Sequence, residues 1–286
     1  MTYLVFGATG LLGRHVSRLL AWRSVPRILF GYSGASGNAR VSRIDIRDPH
    51  AVETAIRRAA PRVVINAAYD KADWRTTAVG PANLARACER HGARLVHISS
   101  DAVFSGREPS YDEGSVPDPV SRYGAAKAAA ETAVAMVDNA VIVRTSWLVG
   151  DGIAPLQRAA GATSWFDGGR ISPFEKYVRG VAAGGTNGAL YVDDIAMPLH
   201  AADLATAVLE IAGQDFTGTI NVAGREPMSR HELAAAYAGW AGVDPAALPR
   251  GRRYGDGGPV AVRLDSSMAG RVLRTRIRPI DEVYRG

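Results

Sequence analysis

Short, mainly apolar segments alternate with longer amphipathic segments along the first half of the chain. The apolar runs occupy residues 3–6, 27–30, 62–65 and 94–98. Between Leu11 and Leu20, apolar residues recur three and four positions apart, which is the spacing of an amphipathic helix. Strands and helices that alternate about every 25 to 35 residues are typical of a parallel, doubly wound sheet. The pattern therefore predicts an α/β fold of the Rossmann type.

A glycine-rich turn joins the first predicted strand to the first predicted helix. Gly7, Gly10 and Gly13 follow the spacing G-x-x-G-x-x-G directly after the strand. Glycine permits a tight turn, a close approach of the backbone to a phosphate, and close packing of the helix on the strand. The N–H groups at the start of the helix can then bind the anion. We predict a dinucleotide site here, with an ordinary strand-to-helix turn as the alternative.

The end of the second predicted strand bears on the type of dinucleotide. Sites that prefer NAD carry Asp or Glu about 20 residues beyond the glycines, where it binds the ribose 2′-hydroxyl. Here the strand ends at Gly31, Tyr32 and Ser33 without a carboxylate, and arginines lie nearby. Because a carboxylate would repel a 2′-phosphate, we expect NADP(H), with NAD(H) as the alternative. Asp45, after the third predicted strand, is either close to the adenine or a simple turn residue.

The net charge of +6 is concentrated at the start of the chain. The first acidic residue is Asp45, and six arginines precede it. A polyanionic cofactor suits such a region better than nucleic acid does, because these arginines are spread over helix and loops without interleaved aromatic residues. A solvated basic face without a ligand is the other interpretation. We expect no nucleic-acid partner.

Size, cysteine content and hydropathy limit the classes further. The 286 residues are 47% hydrophobic, which is enough for one large domain or two unequal ones. The single cysteine, Cys88, excludes an internal disulfide and a cysteine-ligated zinc site, and its neighbours predict a buried, inert thiol. No metal site is predicted, and His97, His200 and His231 are expected to be structural. Without a membrane-length apolar run or an N-terminal leader pattern, we expect a cytoplasmic protein with no membrane partner.

Two segments carry candidate catalytic side chains. Ser99 and Ser100 follow the predicted strand 94–98, at the edge where parallel sheets collect ligands. Tyr123 and Lys127 lie four positions apart in an alanine-rich predicted helix, so both project from one face. An ammonium near a phenol lowers the pKa of the phenol and makes it a better proton donor. With a hydroxyl, the pair can polarise and protonate a carbonyl while a nicotinamide supplies hydride.

The order of these motifs resembles the extended short-chain dehydrogenases/reductases and, within that group, the dTDP-4-dehydrorhamnose reductases. The matching segments extend almost from one terminus to the other: 7–13, 44–49, 63–68, 93–101, 103–106, 123–127, 144–147, 191–194, 201–205 and 264–267. The resemblance implies a dinucleotide-binding Rossmann domain and a smaller C-terminal substrate domain. The first would comprise residues 1–150 and 189–220, and the second residues 151–188 and 221–286.

The resemblance also implies a reaction, which is the NADPH-dependent reduction of the C4 ketone of a nucleotide-linked 4-keto-6-deoxyhexose. Tyr123 would be the general acid, Lys127 would hold the nicotinamide ribose and tune Tyr123, and Ser100 would hydrogen-bond the ketone oxygen. The predicted cofactor-binding residues are Gly7, Thr9, Gly10, Leu11, Leu12, Gly13, Ser33, Asp45, Ile46, Ala67, Ala68, Tyr69, Ser99, Tyr123 and Lys127. The predicted substrate-binding residues are Asp101, Val103, Trp147 and Arg263.

Two other functions compete with the reductase. The first is a nucleotide-sugar epimerase of the same fold, and the second is a catalytically silent NADP-binding regulatory subunit, since some relatives look like partners of methionine adenosyltransferase. A 4,6-dehydratase is disfavoured, because Asp101 is followed by Ala102 and not by a glutamate. Residues 151–188 match the family poorly, so the sugar and the nucleotide are not predicted. A nucleotide-linked ketosugar is the expected partner, and a homodimer is considered.

Overall fold

The computed structural model describes residues 2–31, 41–150, 172–184, 188–253 and 261–285. Thirteen strands lie in these ranges: β1 (Tyr3–Phe6), β2 (Arg27–Gly31), β3 (Val41–Arg43), β4 (Val63–Asn66), β5 (Arg94–Ile98), β6 (Ala140–Arg144), β7 (Leu148–Val149), β8 (Leu190–Tyr191), β9 (Ile195–Ala196), β10 (Leu199–His200), β11 (Gly218–Asn221), β12 (Met228–Ser229) and β13 (Arg250–Gly251). Seven of them form one parallel sheet in the order β11-β6-β5-β4-β1-β2-β3. The predicted doubly wound parallel sheet is confirmed.

Helices cover both faces of this sheet. Within the described ranges they are α1 (Leu11–Trp22), α2 (Pro49–Ala59), α3 (Gly80–His91), α4 (Arg122–Val134), α5 (Pro173–Ala182), α6 (Ala201–Ala212), α7 (Arg230–Trp240), α8 (Ser267–Val272) and α9 (Ile280–Val283). A π-helical turn, Arg75–Val79, leads directly into α3. No helix of the described ranges is long and apolar enough to span a membrane.

Alternate residues of β1 divide the core into two layers, because successive side chains of a strand point to opposite faces. Val5 packs with apolar residues of α1 and α6 on one face. Leu4 and Phe6 pack with α2, α3 and α4 on the other. Cys88 lies in this second layer, where burial raises the pKa of its thiol to about 12. The predicted buried, inert cysteine is confirmed.

A separate apolar cluster holds the C-terminal part of the chain together. It contains Val178 of α5, Leu190 of β8, Leu233 and Tyr237 of α7, and Ile280 of α9. The strands in this part pair only two residues at a time, as β12 does with β9 and β13 with β8. The exact division into two domains stays a prediction.

Helix caps follow the local sequence closely. Asp48 caps α2 by accepting hydrogen bonds from the N–H groups of His50 and Ala51, with Pro49 at the first helical position. Ser229 and Glu232 form a capping box at the start of α7. That cap is relevant to function, because α7 begins beside the candidate site.

Removing the α7 cap should lower stability measurably. Ser229→Ala leaves the N–H group of Glu232 without its acceptor, and such a loss costs about 1 kcal/mol. We expect the free energy of unfolding in urea to fall by this amount. Ser267→Ala is the matched control, because Ser267 is exposed and no hydrogen bond of its hydroxyl is found in the described part. Equal stability of both variants would contradict the assigned cap.

Candidate active site

The glycine turn between β1 and α1 has no room for side chains at two of its three glycines. Gly7 has a φ of +79°, and a Cβ there would lie 2.6 Å from the carbonyl carbon of Ala67. A Cβ on Gly13 would lie 2.1 Å from the carbonyl oxygen of Gly7. Strand, turn and helix are therefore pressed together, which leaves bare backbone facing the space above the turn. This is the cradle that a dinucleotide needs.

The first turn of α1 is suited to an anion. Its N-cap is Gly10, which has no side chain to cap the helix, and no acidic residue lies in the first turn. The N–H groups of the first helical residues, Leu11 and Leu12, point toward the cradle by helix geometry. The Leu12 side chain is buried in the core, so its predicted role in cofactor binding is limited to its backbone.

A cavity of about 190 Å³ adjoins the glycine turn at the carboxyl ends of the strands. Eight predicted cofactor-binding residues line it: Gly7, Thr9, Gly10, Asp45, Ile46, Ala67, Ala68 and Tyr69. Residues that the sequence analysis missed also line it: Phe6, Phe30, Gly31, Ile44 and Thr76. Most of the missed residues end strands or follow them directly, so strand ends were the available signal. Ser33 lies outside the described residues.

Asp45 is held by a neighbouring arginine. Arg47 Nε donates to Asp45 Oδ1 at 2.9 Å, and Arg47 Nη2 lies 2.7 Å from Oδ2. Hydrogen bonding by Arg47 is the main reason why the pKa of Asp45 is below its ordinary value. Arg47 in turn reaches Asp73 at 3.0 Å. Asp45 thus lines the cavity and also fixes the turn, so both of its predicted roles remain open.

The three predicted catalytic side chains meet at the end of β5. The Tyr123 hydroxyl lies near that of Ser100, which lowers the pKa of the phenol. Lys127, one turn along α4 from Tyr123, is buried and donates from Nζ to the carbonyl oxygen of Ile98 at 2.8 Å. Its Nζ also lies 5.4 Å from the ring centroid of Tyr69, whose ring is 5.9 Å from that of Tyr123. The hydroxyl pair and the amine therefore converge beside the cofactor cavity.

Burial dominates the electrostatics of this group. It raises the pKa of the Tyr123 phenol, Tyr69 raises it further, and the Ser100 hydroxyl opposes both effects. This differs from our expectation that the Lys127 ammonium would govern Tyr123, since that ammonium is turned toward Ile98. Burial lowers the pKa of Lys127 to about 8, while Glu131 acts in the opposite direction. At neutral pH the phenol holds its proton, as a proton donor must.

Comparison with known proteins now defines the family. The profile described as the RmlD substrate binding domain matches residues 1–253. The chain belongs to this family. The predicted resemblance to extended short-chain dehydrogenases/reductases is confirmed.

The chain is similar to proteins that carry two different names. The dTDP-4-dehydrorhamnose reductase of Mycobacterium tuberculosis (strain ATCC 25618 / H37Rv) is 33% identical over 259 residues, covering 85% of this chain and 76% of the relative. Methionine adenosyltransferase 2 subunit beta of Xenopus laevis is 30% identical over 253 residues, covering 82% and 70%. The structure of dTDP-4-dehydrorhamnose reductase from Bacillus anthracis str. Ames, in complex with NADP, superposes with a TM-score of 0.79 at 23% identity. It covers 99% of this chain and 95% of that one, which confirms the predicted fold.

Asp101 is one of the four predicted substrate-binding residues of this family member. Asp101 is buried and accepts hydrogen bonds from Ser100 Oγ at 3.1 Å and Ser146 Oγ at 2.6 Å. Burial raises its pKa, and these two hydrogen bonds oppose that effect. Through its hydrogen bond with Ser100 Oγ, Asp101 orients the Ser100 hydroxyl. Its predicted contact with substrate stays a prediction.

Ser99 and Val103 take part in packing and not in the cavity. Ser99 Oγ donates to Glu131, which is paired with Arg144 at 2.9 Å in the interior. Val103 is fully buried, together with Phe104. The Ser99 hydroxyl is therefore engaged away from the predicted cofactor, and a contact of the Val103 side chain with substrate would require that side chain to leave the core.

The two other predicted substrate residues come from later segments. Trp147 is half-buried, and the Arg230 guanidinium lies 4.2 Å from the centroid of its ring. Arg263 is half-buried between Val262 and Leu264, both of which belong to the core. Because side chains alternate along an extended segment, Arg263 is expected to project away from that core. Both substrate roles stay predictions.

Lys71 is a residue of this site that the sequence analysis missed. It follows Tyr69 in the loop after β4, and its Nζ lies 5.6 Å from the ring centroid of Tyr123. Partial desolvation and the charge of Arg230 lower its pKa, while Asp101 raises it. A lysine close to Tyr-x-x-x-Lys in space has no signature in the local sequence, because the loop brings it there from more than 50 positions earlier.

A larger cavity, of about 470 Å³, lies apart from these residues, between α1 and α6 and near α9. It is lined by His15 and Arg18 of α1, by His200, and by Trp240 and Tyr284 of the C-terminal part. None of the three catalytic candidates and none of the turn glycines lines it. The candidate active site is therefore the smaller cavity and the cleft beside it, by which we mean the surroundings of Ser100, Tyr123, Lys127 and Lys71.

Proposed function

We propose that this protein reduces the C4 ketone of a nucleotide-linked 4-keto-6-deoxyhexose with NADPH. The observation that carries the proposal is the convergence of Tyr123, Ser100 and Lys127 beside the glycine cradle. The reductase of M. tuberculosis, at 33% identity over most of both chains, supports the same function. When bound, the nicotinamide cofactor would supply the hydride.

Three side chains of the protein donate the proton, stabilise the developing charge and place an ammonium near the phenol. Tyr123 donates its proton to the ketone oxygen as negative charge develops there. Ser100 Oγ donates to Asp101 Oδ1 in the structure, and on substrate binding the hydroxyl turns its single proton to the same ketone oxygen, where it stabilises that charge. Lys127 is held rigidly by the carbonyl of Ile98 and places an ammonium one helical turn from the phenol. These roles need no further residue for proton transfer to the ketone.

The choice of NADPH over NADH rests on charge. No acidic residue precedes Asp45, and Asp45 is already paired with Arg47. A 2′-phosphate would therefore meet no unpaired carboxylate among these residues. The neighbour from B. anthracis was solved with NADP, which supports the same choice. Titration with NADPH and NADH, followed by tryptophan fluorescence, tests it: at least tenfold tighter binding of NADPH is expected, which corresponds to about 1.4 kcal/mol.

The experiment for the reaction is NADPH oxidation with a panel of nucleotide-linked 4-ketosugars. We expect turnover with at least one 4-keto-6-deoxyhexose and a 4-hydroxy product identified by mass spectrometry. The epimerase alternative predicts interconversion of 4-hydroxy sugars without net cofactor consumption. The silent-subunit alternative is favoured by the X. laevis relative and predicts cofactor binding with no turnover on any ketosugar. A homodimer stays a prediction for light scattering to test.

Turnover should decline above pH 8. The pKa of Lys127 is lowered to about 8, so the ammonium loses its proton as the pH rises through that value. If the charged form supports the reaction, kcat falls about tenfold for each further pH unit. A pH–rate profile of kcat at saturating NADPH measures this. A constant kcat up to pH 10 would contradict the role given to the ammonium.

A further inference from the structure

Lysine is rare in this chain and is concentrated at the active site. Of the 34 basic residues only three are lysines, at positions 71, 127 and 176. Lys127 belongs to the catalytic group, Lys71 lies over the ring of Tyr123, and Lys176 is exposed on α5. Arginine serves almost everywhere else in the chain as the cation. The presence of a compact ammonium at position 71, where the chain would usually carry arginine, therefore needs a specific reason.

Lys71 enters the cleft from the cofactor side. It lies on the loop after β4, and Ala67, Ala68 and Tyr69 of the same loop line the cofactor cavity. Its Nζ is 5.6 Å from the Tyr123 ring centroid, over the face of the ring.

Arg230 is a second cation near this group. It is the first residue of α7, and its Nη2 lies 2.8 Å from Asp194 Oδ2. Its guanidinium also stacks over Trp147 at 4.2 Å. An ion pair and a stacking contact together fix its orientation. Trp147 follows Ser146, whose hydroxyl donates to Asp101 Oδ2 at 2.6 Å, so Arg230 lies near the group of Ser100 and Asp101. The charge of Arg230 also lowers the pKa of the Lys71 amine.

The charges of this cleft are unbalanced. Asp194 is shared by Arg230 and Arg253, which lies 3.2 Å from Asp194 Oδ1. The carboxyl that raises the pKa of Lys71 is Asp101, which is buried and already accepts two serine hydroxyls. The charges of Lys71 and Arg230 repel, and an anion bound by both removes this repulsion.

We propose that Lys71 and Arg230 form the subsite that binds the diphosphate of the nucleotide-linked substrate. This inference rests on the proposed function, since only a nucleotide-linked sugar places a diphosphate within reach of a ketone at Tyr123. Arg230 offers a planar fork suited to two phosphate oxygens, and Lys71 offers a single point charge. Lys71 is then a specificity-determining residue that acts on binding and leaves proton transfer to Tyr123.

Binding of nucleotides to the NADPH-loaded full chain tests this subsite without requiring turnover. Isothermal titration calorimetry would compare thymidine 5′-diphosphate with thymidine. For Lys71→Met we expect the Kd for the diphosphate to rise at least tenfold, with thymidine affinity unchanged. Lys71→Arg should retain most of the affinity, because it keeps the charge. Lys176→Met is the matched control and should match the wild type with both ligands.

Turnover gives a second readout that separates this inference from the proposed function. With a ketosugar substrate, Lys71→Met should raise KM at least tenfold and change kcat less than threefold. Unchanged diphosphate affinity in Lys71→Met would overturn the subsite even if the wild type is an active reductase. Conversely, a wild type that is inactive on every ketosugar, with diphosphate binding weakened in Lys71→Met, would refute the proposed function and retain an anion subsite. An equal loss of thymidine affinity would also overturn the inference, because it would indicate general damage to the cleft.

Discussion

Replacing Tyr123 with phenylalanine is expected to lower kcat by about 100-fold or more, because the reaction loses its positioned proton donor. The substitution removes one oxygen and keeps the ring, so the contacts of the ring with Tyr69 and Lys71 are retained. NADPH affinity should change little, since the glycine cradle is untouched. The measurement is steady-state NADPH oxidation with the best ketosugar of the panel, together with a fluorescence titration of NADPH.

The matched control for this variant is Tyr3→Phe. Tyr3 opens β1, packs against the core layer that contains α1, and belongs to the sheet end opposite to the site. The kcat of Tyr3→Phe should equal that of the wild type. If Tyr123→Phe retained more than a tenth of wild-type turnover, the phenol would not be the general acid. The reductase proposal would then depend on another donor in the cleft.

The sequence allowed prediction of features that depend on local geometry. The turn at Gly7 and Gly13 could be recognised because close packing of strand and helix excludes every residue except glycine there. Tyr123 and Lys127 could be paired because their spacing alone places them on one helical face. The caps at Asp48 and Ser229 are of the same local kind, because each side chain bonds to backbone within three residues. In each case the interacting groups are close along the chain.

Features that depend on long-range contacts could not be predicted in the same way. Ser99 and Ser100 are adjacent, yet Ser99 turns to Glu131 while Ser100 meets Tyr123. Their directions follow from the pleat of β5 and from which helix covers each face. Lys71 joins the site because the loop after β4 is folded over the sheet edge, beside α4. Sequence patterns therefore predict neither the directions of Ser99 and Ser100 nor the position of Lys71.

Replacing Gly13 with alanine is expected to weaken NADPH binding by at least 100-fold, about 2.7 kcal/mol. Helix propensity alone predicts the opposite sign for stability, since alanine in a helix interior is favoured over glycine by about 1 kcal/mol. Packing decides the outcome here. The added Cβ would lie 2.1 Å from the carbonyl oxygen of Gly7 and 2.8 Å from the Cα of Ala8, so backbone must move. Gly7 cannot retreat, because it is itself pressed against Ala67.

Gly270→Ala in α8 is the matched control for this substitution. Nothing lies within 4 Å of a Cβ at Gly270, so propensity acts there without a clash. We expect Gly270→Ala to bind NADPH like the wild type and to be at least as stable. Gly13→Ala should lower both NADPH affinity and the melting temperature. If Gly13→Ala bound NADPH with wild-type affinity, the turn would tolerate a side chain, and the close approach of backbone to the cofactor phosphates inferred from Gly7 and Gly13 would be wrong.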